Sequence, residues 1–300
     1  MTIINLGTRV VNNYLIPSEA GWILIDTGYA GGFAHFQKML EKNSVRPEEI
    51  RYVFLTHAHD DHAGFLNEVL AATGADVILH PGAVEGLKRG QNSFEGGCSS
   101  LLAWLFCQVL ALFGHGEHRY PPIREEYLGR LIPIDSERFR NLDFPYEVLE
   151  TPGHTADHIA LLVGDLLFCG DAAMNGFPSC RRTTIWIEDL PQFKRSWERI
   201  LKRSPRLLYP AHGKPFPTAD LKKYRQALDK VKLRALKEQG MHTDAFKRGA
   251  QNTFLAWYRN LEDVTKEIAD IQSALDAGAA SYTLQYSVKC KQNLFRTIED

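Results

Sequence analysis

Tyr52-Val53-Phe54-Leu55-Thr56-His57-Ala58-His59-Asp60-Asp61-His62-Ala63-Gly64 is the stretch from which the rest of the chain can be read. Its first four residues form an apolar run of the length expected for a buried strand. Three histidines and a suitably placed carboxylate then fall between positions 57 and 62. Imidazole and carboxylate are the ligands that borderline divalent metals such as zinc prefer. In an extended segment alternate side chains share a face, so His57 and His59 can grip one ion together. The chain must then turn, which carries Asp61 and His62 toward a second position beside the first. Gly64 is expected to give the backbone room to bend before a helix begins at Phe65.

At 300 residues the chain is long enough for one large domain or a domain with an appendage. Hydrophobic content of 44% and charged content of 24% are those of a globular protein with a sizeable core. A formal net charge of −1 removes any global electrostatic case for a nucleic-acid partner. The N-terminus lacks the charged start and apolar core of a signal peptide. The five cysteines are an odd number, widely spread and without a Cys-x-x-Cys pair. Reduced thiols in a cytoplasmic protein, mostly buried and structural, are therefore expected.

Upstream, Arg9–Ile16 and Gly21–Gly28 read as two strands joined by a Pro17–Ala20 hairpin connection, the second ending at a polar corner, Asp26. Asp26 reads either as a turn former or as an acceptor of hydrogen bonds behind the histidines. Residues 34–43 carry Phe36, Met39 and Leu40 at helical spacing. After the histidine stretch, 75–80 is a short strand, and its terminal His80 is left outside the ligand set. Residues 85–129 break the strand–helix rhythm. They contain an apolar run, Ser100 to Phe113, too short for a membrane span of about 20 residues. Apolar on nearly all sides, this run should be covered, either as a core or homodimer-interface helix or as a lid walling a substrate pocket. His115 and His118 beside it read as surface residues.

The second half repeats the pattern. Residues 146–150 form a strand leading into Thr151-Pro152-Gly153-His154-Thr155, and 159–163 with 166–169 make a hairpin around Gly164-Asp165. A helix over 191–203 has Phe193, Trp197, Ile200 and Leu201 on one side, and a strand over 206–210 precedes Ala211-His212-Gly213. His154, Asp171 and His212 each sit beside Gly or Pro in a loop at a strand's carboxyl end, as does the 57–62 loop. From about Ala219 the grammar is helical only, with long helices over 219–238, from Thr243 and over 261–275. Basic and acidic residues alternate there, so a solvated face is the default reading.

With His57-x-His59-x-Asp61-His62, His154, Asp171 and His212 placed, the sequence resembles the metallo-β-lactamase-fold hydrolase superfamily. Leu24-Ile25-Asp26-Thr27-Gly28 and Thr151-Pro152-Gly153-His154-Thr155 are similar to that family's other signatures. The resemblance covers residues 1–217, with 85–129 an apolar insertion and 218–300 a helical extension outside it. It implies an α/β protein, a four-layer αβ/βα sandwich with its metals at one edge of two sheets. It also implies that His57, His59 and His154 bind a first metal, that Asp61, His62 and His212 bind a second, and that Asp171 bridges them. Aspartate at the bridging position resembles the glyoxalase II and lactonase branch.

The cofactors so implied are two divalent ions, zinc foremost, with iron or manganese as alternatives. The function so implied is hydrolysis of an ester, lactone or thioester of a small, partly apolar substrate, with Asp61 orienting the nucleophile and shuttling its proton. Arg181 and Arg182, ten and eleven residues past Asp171, read either as receivers of a substrate carboxylate or phosphate or as an exposed basic turn. The lactonase branch often has a tyrosine shortly after the bridging aspartate, and this chain has none. Other readings of the same scaffold are a phosphodiesterase, an iron-dependent oxidoreductase of the persulfide dioxygenase kind, and a non-catalytic effector.

Overall fold

The computed structural model describes residues 1–112 and 116–236. Of the chain's two compact units, the larger comprises Met1–Ala111 and His115–Gln239, and both main sheets belong to it. The first sheet opens with β1 (Ile4–Asn5), β2 (Tyr14–Ser18) and β3 (Gly21–Ile25), paired antiparallel. It continues parallel through β4 (Ile50–Phe54) and β5 (Asp76–Leu79). After the two-residue β6 (Gly97–Cys98), β7 (Leu131–Pro133) completes it in parallel with β5. Parallel neighbours need crossovers. These are supplied by α1 (Phe33–Lys42) between β3 and β4, and by α2 (Asp60–Ala63) and α3 (Leu66–Ala72) between β4 and β5. Between β5 and β7 run α4 (Ala83–Arg89) and the apolar α5 (Leu101–Leu112), and α6 (Glu137–Arg140) follows β7.

The second sheet contains β8 (Glu147–Glu150), β9 (Ile159–Val163) and β10 (Leu166–Gly170), all antiparallel. The short β11 (Trp186–Ile187) pairs with β6. After α7 (Leu190–Arg203), β12 (Leu207–Pro210) lies parallel to β10 and antiparallel to β13 (Phe216–Pro217), and α8 (Thr218–Tyr224) follows.

Strand alternation builds the layers. On β2, Tyr14 and Ile16 face one way and Leu15 the other; on β3, Ile23 and Ile25 oppose Leu24. Tyr14, Ile16, Ile23, Ile25, Phe54 and Ile78 of the first sheet pack with Ile159, Leu161, Val163 and Phe168 of the second. The residues of the opposite face, Leu15, Leu24, Val53 and Val77, turn outward onto Phe36 and Leu40 of α1 and Leu66 and Val69 of α3. On the far side, Leu149, Ala160, Leu167 and Leu208 face Phe193, Trp197 and Ile200 of α7. The order helix, sheet, sheet, helix is the expected four-layer sandwich. Asp189 caps α7 by accepting the Gln192 N–H at 2.8 Å, and Trp197 donates its indole N–H to the Ala172 carbonyl at 2.7 Å. That second bond ties the outer helix to the strand end next to Asp171.

Several local expectations are corrected. Residues 9–13 are a loop rather than the start of β2, because their backbone is drawn toward the second sheet: Asn12 N–H bonds the Ala211 carbonyl at 2.7 Å. Pro17 and Ser18, expected in the turn, stay in the ladder opposite Trp22 and Gly21. The long helix over 219–238 ends early. After α8 a 3₁₀ segment runs over Arg225–Lys230, and Arg234 then exchanges backbone hydrogen bonds with Cys98. Leu221 and Leu228 enter the α7 core, so tertiary pairing has overridden helical spacing there. The helices from Thr243 and over 261–275 fall outside the described residues.

The apolar run does form α5, but Leu101, Leu102 and Leu105 are exposed, and Ala103 is buried. A helix greasy all round can turn only part of its circumference to one neighbour. Among the described residues no helix is long and apolar enough to cross a membrane. Cys98 and Cys169 are buried free thiols, whereas Cys180 is exposed. Gly64 has an ordinary helical φ of −62°. Its requirement is close approach rather than bending freedom, since a Cβ there would collide with the backbone of Ala30, Asp60 and Gly28.

Candidate metal centre

The loops at the carboxyl ends of β4, β8, β10 and β12 bring seven side chains together from both sheets. His57 and His59 follow β4 in extended backbone; α2 then rotates Asp61 and His62 to the neighbouring position. His154 follows β8, Asp171 follows β10 and His212 follows β12. His154 Nε2 lies 3.1 Å from His57 Nε2 and 3.2 Å from His59 Nδ1. Tetrahedral nitrogens around a zinc ion, about 2.05 Å from it, are about 3.3 Å apart, so these three nitrogens surround a point of the right size. In the second group His212 Nε2 stands 3.0 Å from Asp61 Oδ2, and His62 Nε2 stands 3.5 Å from Asp61 Oδ1. Asp171 faces both groups, with Oδ2 3.6 Å from His154 Nε2 and Oδ1 3.5 Å from His212 Nε2 and 3.9 Å from His62 Nε2.

The outward edges of the rings are fixed. His62 Nδ1 is 2.9 Å from Asp26 Oδ2, His154 Nδ1 is 2.8 Å from the Trp186 carbonyl and His212 Nδ1 is 2.7 Å from the Val10 carbonyl. Each of these partners accepts only, so each Nδ1 carries a proton and each Nε2 is turned toward the centre. His57 Nδ1 meets Thr56 Oγ1 at 3.0 Å, and that hydroxyl donates to Asp26 Oδ2 at 2.8 Å. Asp26, 1% exposed, also accepts the Thr56 N–H at 2.8 Å. It therefore organises two of the histidines from behind.

Two residues outside the expected set matter. His158 is fully buried; its Nε2 accepts the Asp171 N–H at 3.0 Å, and its Nδ1 meets Thr151 Oγ1 at 2.8 Å. It lies four residues beyond His154, and the only sequence signal for it was that proximity. His118, expected at the surface, is instead half-buried against Asp60, Nδ1 to Oδ2 3.3 Å. Asn92 exchanges two further bonds with Asp60, and Tyr120 donates to the Ala58 carbonyl at 2.7 Å. The 85–129 stretch is thus clasped onto the histidine loop through long-range contacts that a local reading does not register. His80 accepts the Gly82 N–H at a strand end, and His115 lies outside the described residues. Arg182 is committed to Asp220 at 2.7 Å and to the Asn175 side chain, whereas Arg181 is exposed.

The electrostatics divide the site in two. Burial, with neighbouring imidazoles adding to it, holds His57 and His59 well below the ordinary histidine pKa. Burial also lowers His154, against the pull of Asp171. These three are neutral, the form that ligates. Burial acts on His62 in the same sense, but Asp61 and Asp26 outweigh it and raise its pKa to about 10. At His212, likewise, Asp171 and Asp61 overcome burial and raise it to about 9. Asp61 is resisted by burial yet driven well below the usual carboxylate range by His62 and His212. The second group therefore demands compensating positive charge, from protons or from a metal.

Burial also depresses His158 well below its ordinary 6.5. A histidine held neutral in the fold contributes stability above its unfolded pKa, and that contribution is lost as pH falls below 6.5 toward the folded value. His158→Gln is expected to flatten the acid-side loss of stability by up to about 1.4 kcal/mol per pH unit. Urea denaturation between pH 7.5 and 5.5 measures this, and a slope equal to wild type would show that His158 does not titrate with unfolding.

Whether these residues suit a divalent ion is decided by atoms left without partners. His59 Nε2, His62 Nε2 and Asp171 Oδ1 are buried with no hydrogen-bond partner. Unsatisfied buried polar atoms are costly and rare. Those of His62 and Asp171 face each other at the centre, and an ion ligated there would satisfy both. The triads His57–His59–His154, His57–His62–Asp171 and Asp61–His62–His212 each have ligand atoms within 4.8 Å of one another.

Comparison with known proteins agrees with the geometry. The chain is 27% identical over 215 residues to a metallo-beta-lactamase fold-containing protein of Sulfurisphaera tokodaii, covering 68% of this chain and 73% of that one. It is 35% identical over 185 residues to a hydroxyacylglutathione hydrolase of Shewanella oneidensis, covering 59% of this chain. It spans 64% of that relative's length. The crystal structure of an archaeal metallo-beta-lactamase superfamily protein from Sulfolobus tokodaii superposes with a TM-score of 0.53 at 23% identity, over 83% of this chain and 94% of that one. A family profile described as the metallo-beta-lactamase superfamily matches residues 6–234. Carrying that family's sandwich and a His/Asp cluster able to hold metal, the chain belongs to the metallo-β-lactamase superfamily.

Proposed function

We propose that this chain is a dinuclear metal-dependent hydrolase acting on a small ester, lactone or thioester with an apolar group, a thioester foremost. The observation that carries the reading is the convergence of seven side chains able to ligate, with His62 Nε2 and Asp171 Oδ1 buried at the centre without a hydrogen-bond partner. Identity of 35% to a hydroxyacylglutathione hydrolase supports the thioester. His57, His59 and His154 would hold one ion, Asp61, His62 and His212 a second, with Asp171 between them. Bound there, two divalent ions, zinc foremost, supply a Lewis acid for the carbonyl and lower the pKa of water toward neutrality.

The chain's own residues do the rest. Asp61, whose oxygens stand beside His62 and His212, would orient the attacking water. It would also shuttle the proton which that water gives up. Asp26 and the Trp186 and Val10 carbonyls hold the rings in place, so little reorganisation is needed during reaction. Exposed Phe94, beside the His118 ring, offers apolar surface for the acyl group.

The test is metal content and turnover of the purified full chain on a panel of thioesters, esters and lactones, with oxygen uptake followed in parallel. Two ions per chain and chelator-sensitive thioester hydrolysis are expected. Oxygen consumption with bound iron, or a fully loaded chain inert to the whole panel, would overturn the reading.

A further inference from the structure

A cavity of about 280 Å³ lies between the loop that follows Asp171 and the residues after α8. Its lining includes none of the seven metal-facing side chains, so a ligand held there is independent of the hydrolase reading. Arg181, Lys230, Lys232 and Arg234 line it, and no Asp or Glu does. Among the described residues none of the four has an ion-pair partner. Their neighbours do: Arg182 has Asp220, Lys194 has Asp229 and Arg225 has Glu198. In a chain with a formal net charge of −1, four cations around one hollow, without an ion-pair partner among the described residues, are a local concentration rather than a general excess.

Both walls are held in place. Arg181 sits at φ 56°, in the left-handed region that disfavours a side chain, within a turn closed by the Thr183 N–H on the Cys180 carbonyl at 3.0 Å. Ser179 Oγ braces the same turn on the Thr183 carbonyl at 2.8 Å. Opposite, Arg234 is bonded through its N–H and its carbonyl to Cys98, at 3.0 and 2.9 Å. Strain that the surroundings maintain is a mark of functional sites, and fixed walls reduce the ordering cost of binding.

We propose that this cavity binds a small phosphorylated molecule, with a diphosphate or polyphosphate group against the four cations. Guanidinium and ammonium groups together match several phosphate oxygens. The volume approaches the roughly 300 Å³ at which small-molecule pockets begin, more than one phosphate needs. Leu101 and Val231 in the lining leave room for a short apolar portion of the ligand.

Pyrophosphate is the probe, titrated calorimetrically into the full chain, with metal content measured before and after so that chelation is not counted as binding. Saturable one-to-one binding is expected. It should weaken at least tenfold in Lys230→Ala/Lys232→Ala and persist in Lys230→Arg/Lys232→Arg. Exposed Cys180 lines the same cavity, so pyrophosphate should slow its alkylation in wild type and not in the alanine variant. Asp171→Ala should bind pyrophosphate as wild type does. Equal affinity in the alanine variant, unprotected Cys180, or loss of binding in Asp171→Ala would each overturn the proposal. Adsorption to phosphatidylglycerol vesicles without pyrophosphate binding would overturn it too, because a lipid surface needs no enclosed site.

Discussion

Asp171→Ala is expected to lower metal-dependent hydrolysis by at least about 1,000-fold while the chain stays folded. A residue that merely orients a metal ligand is worth about 10- to 100-fold, and Asp171 faces both groups of ligands directly. Its side chain takes no part in the three apolar clusters, and its backbone bond to His158 survives the substitution. Added zinc should raise the melting temperature of wild type. Saturation at 100 times Kd is worth about 2.7 kcal/mol, and each kcal/mol moves a domain of this size by roughly 2–4 °C. The same zinc-dependent shift should be much smaller in Asp171→Ala. Turnover, metal per chain and the zinc-dependent shift together are the measurement. Wild-type turnover in the variant would remove Asp171, and the shared centre, from the mechanism.

Asp26→Ala should show its largest effect on stability. The substitution strips the acceptor from the Thr56 N–H, the Thr56 hydroxyl and His62 Nδ1, all buried. Each orphaned donor costs about 1–3 kcal/mol. Alanine must also adopt a φ of 58°, a left-handed conformation that costs a further 1–2 kcal/mol or so. A total of about 4–11 kcal/mol is comparable with the roughly 5–15 kcal/mol that keeps a domain folded. Asn tolerates that backbone and keeps one acceptor, so Asp26→Asn should regain part of the stability. Its zinc affinity should still be about 10- to 100-fold lower, because His62 loses its carboxylate partner. Denaturant midpoints with zinc titrations separate the two effects. Unchanged zinc affinity in Asp26→Asn would make Asp26 a turn former and nothing more.

Much of the fold and the site was open to reading from residues in order. The 57–62 cluster is legible because its candidate ligands are neighbours, and two-residue spacing on extended backbone puts His57 and His59 on one face. The sheets are legible because Tyr14, Ile16, Ile23, Ile25, Ile159 and Leu161 alternate with residues of the opposite face. His158 was not legible: a buried histidine accepting a backbone N–H looks in sequence like any other. His118 was misread for a related reason, since its partner Asp60 arrives from another part of the chain. Helical spacing from Ala219 onward could not reveal that Arg234 pairs with Cys98 across the fold. Arg181 and Arg182 read alike, as receivers of a substrate anion or as an exposed basic turn, yet Asp220 takes one guanidinium and leaves the other lining a cavity.

By itself, then, the sequence determined what is local and periodic: the ligand types, the strand-end loops that bear them and the two-sided strands that make a sandwich. Alternation and spacing are written in consecutive residues, and the backbone geometry of strand and helix translates them directly. Only the tertiary structure decided which nitrogens face inward, which carboxylates raise His62 and His212, and which cations have no ion-pair partner among the described residues. Those outcomes depend on desolvation and Coulomb interactions over a few ångströms, between groups that the order of the chain places far apart.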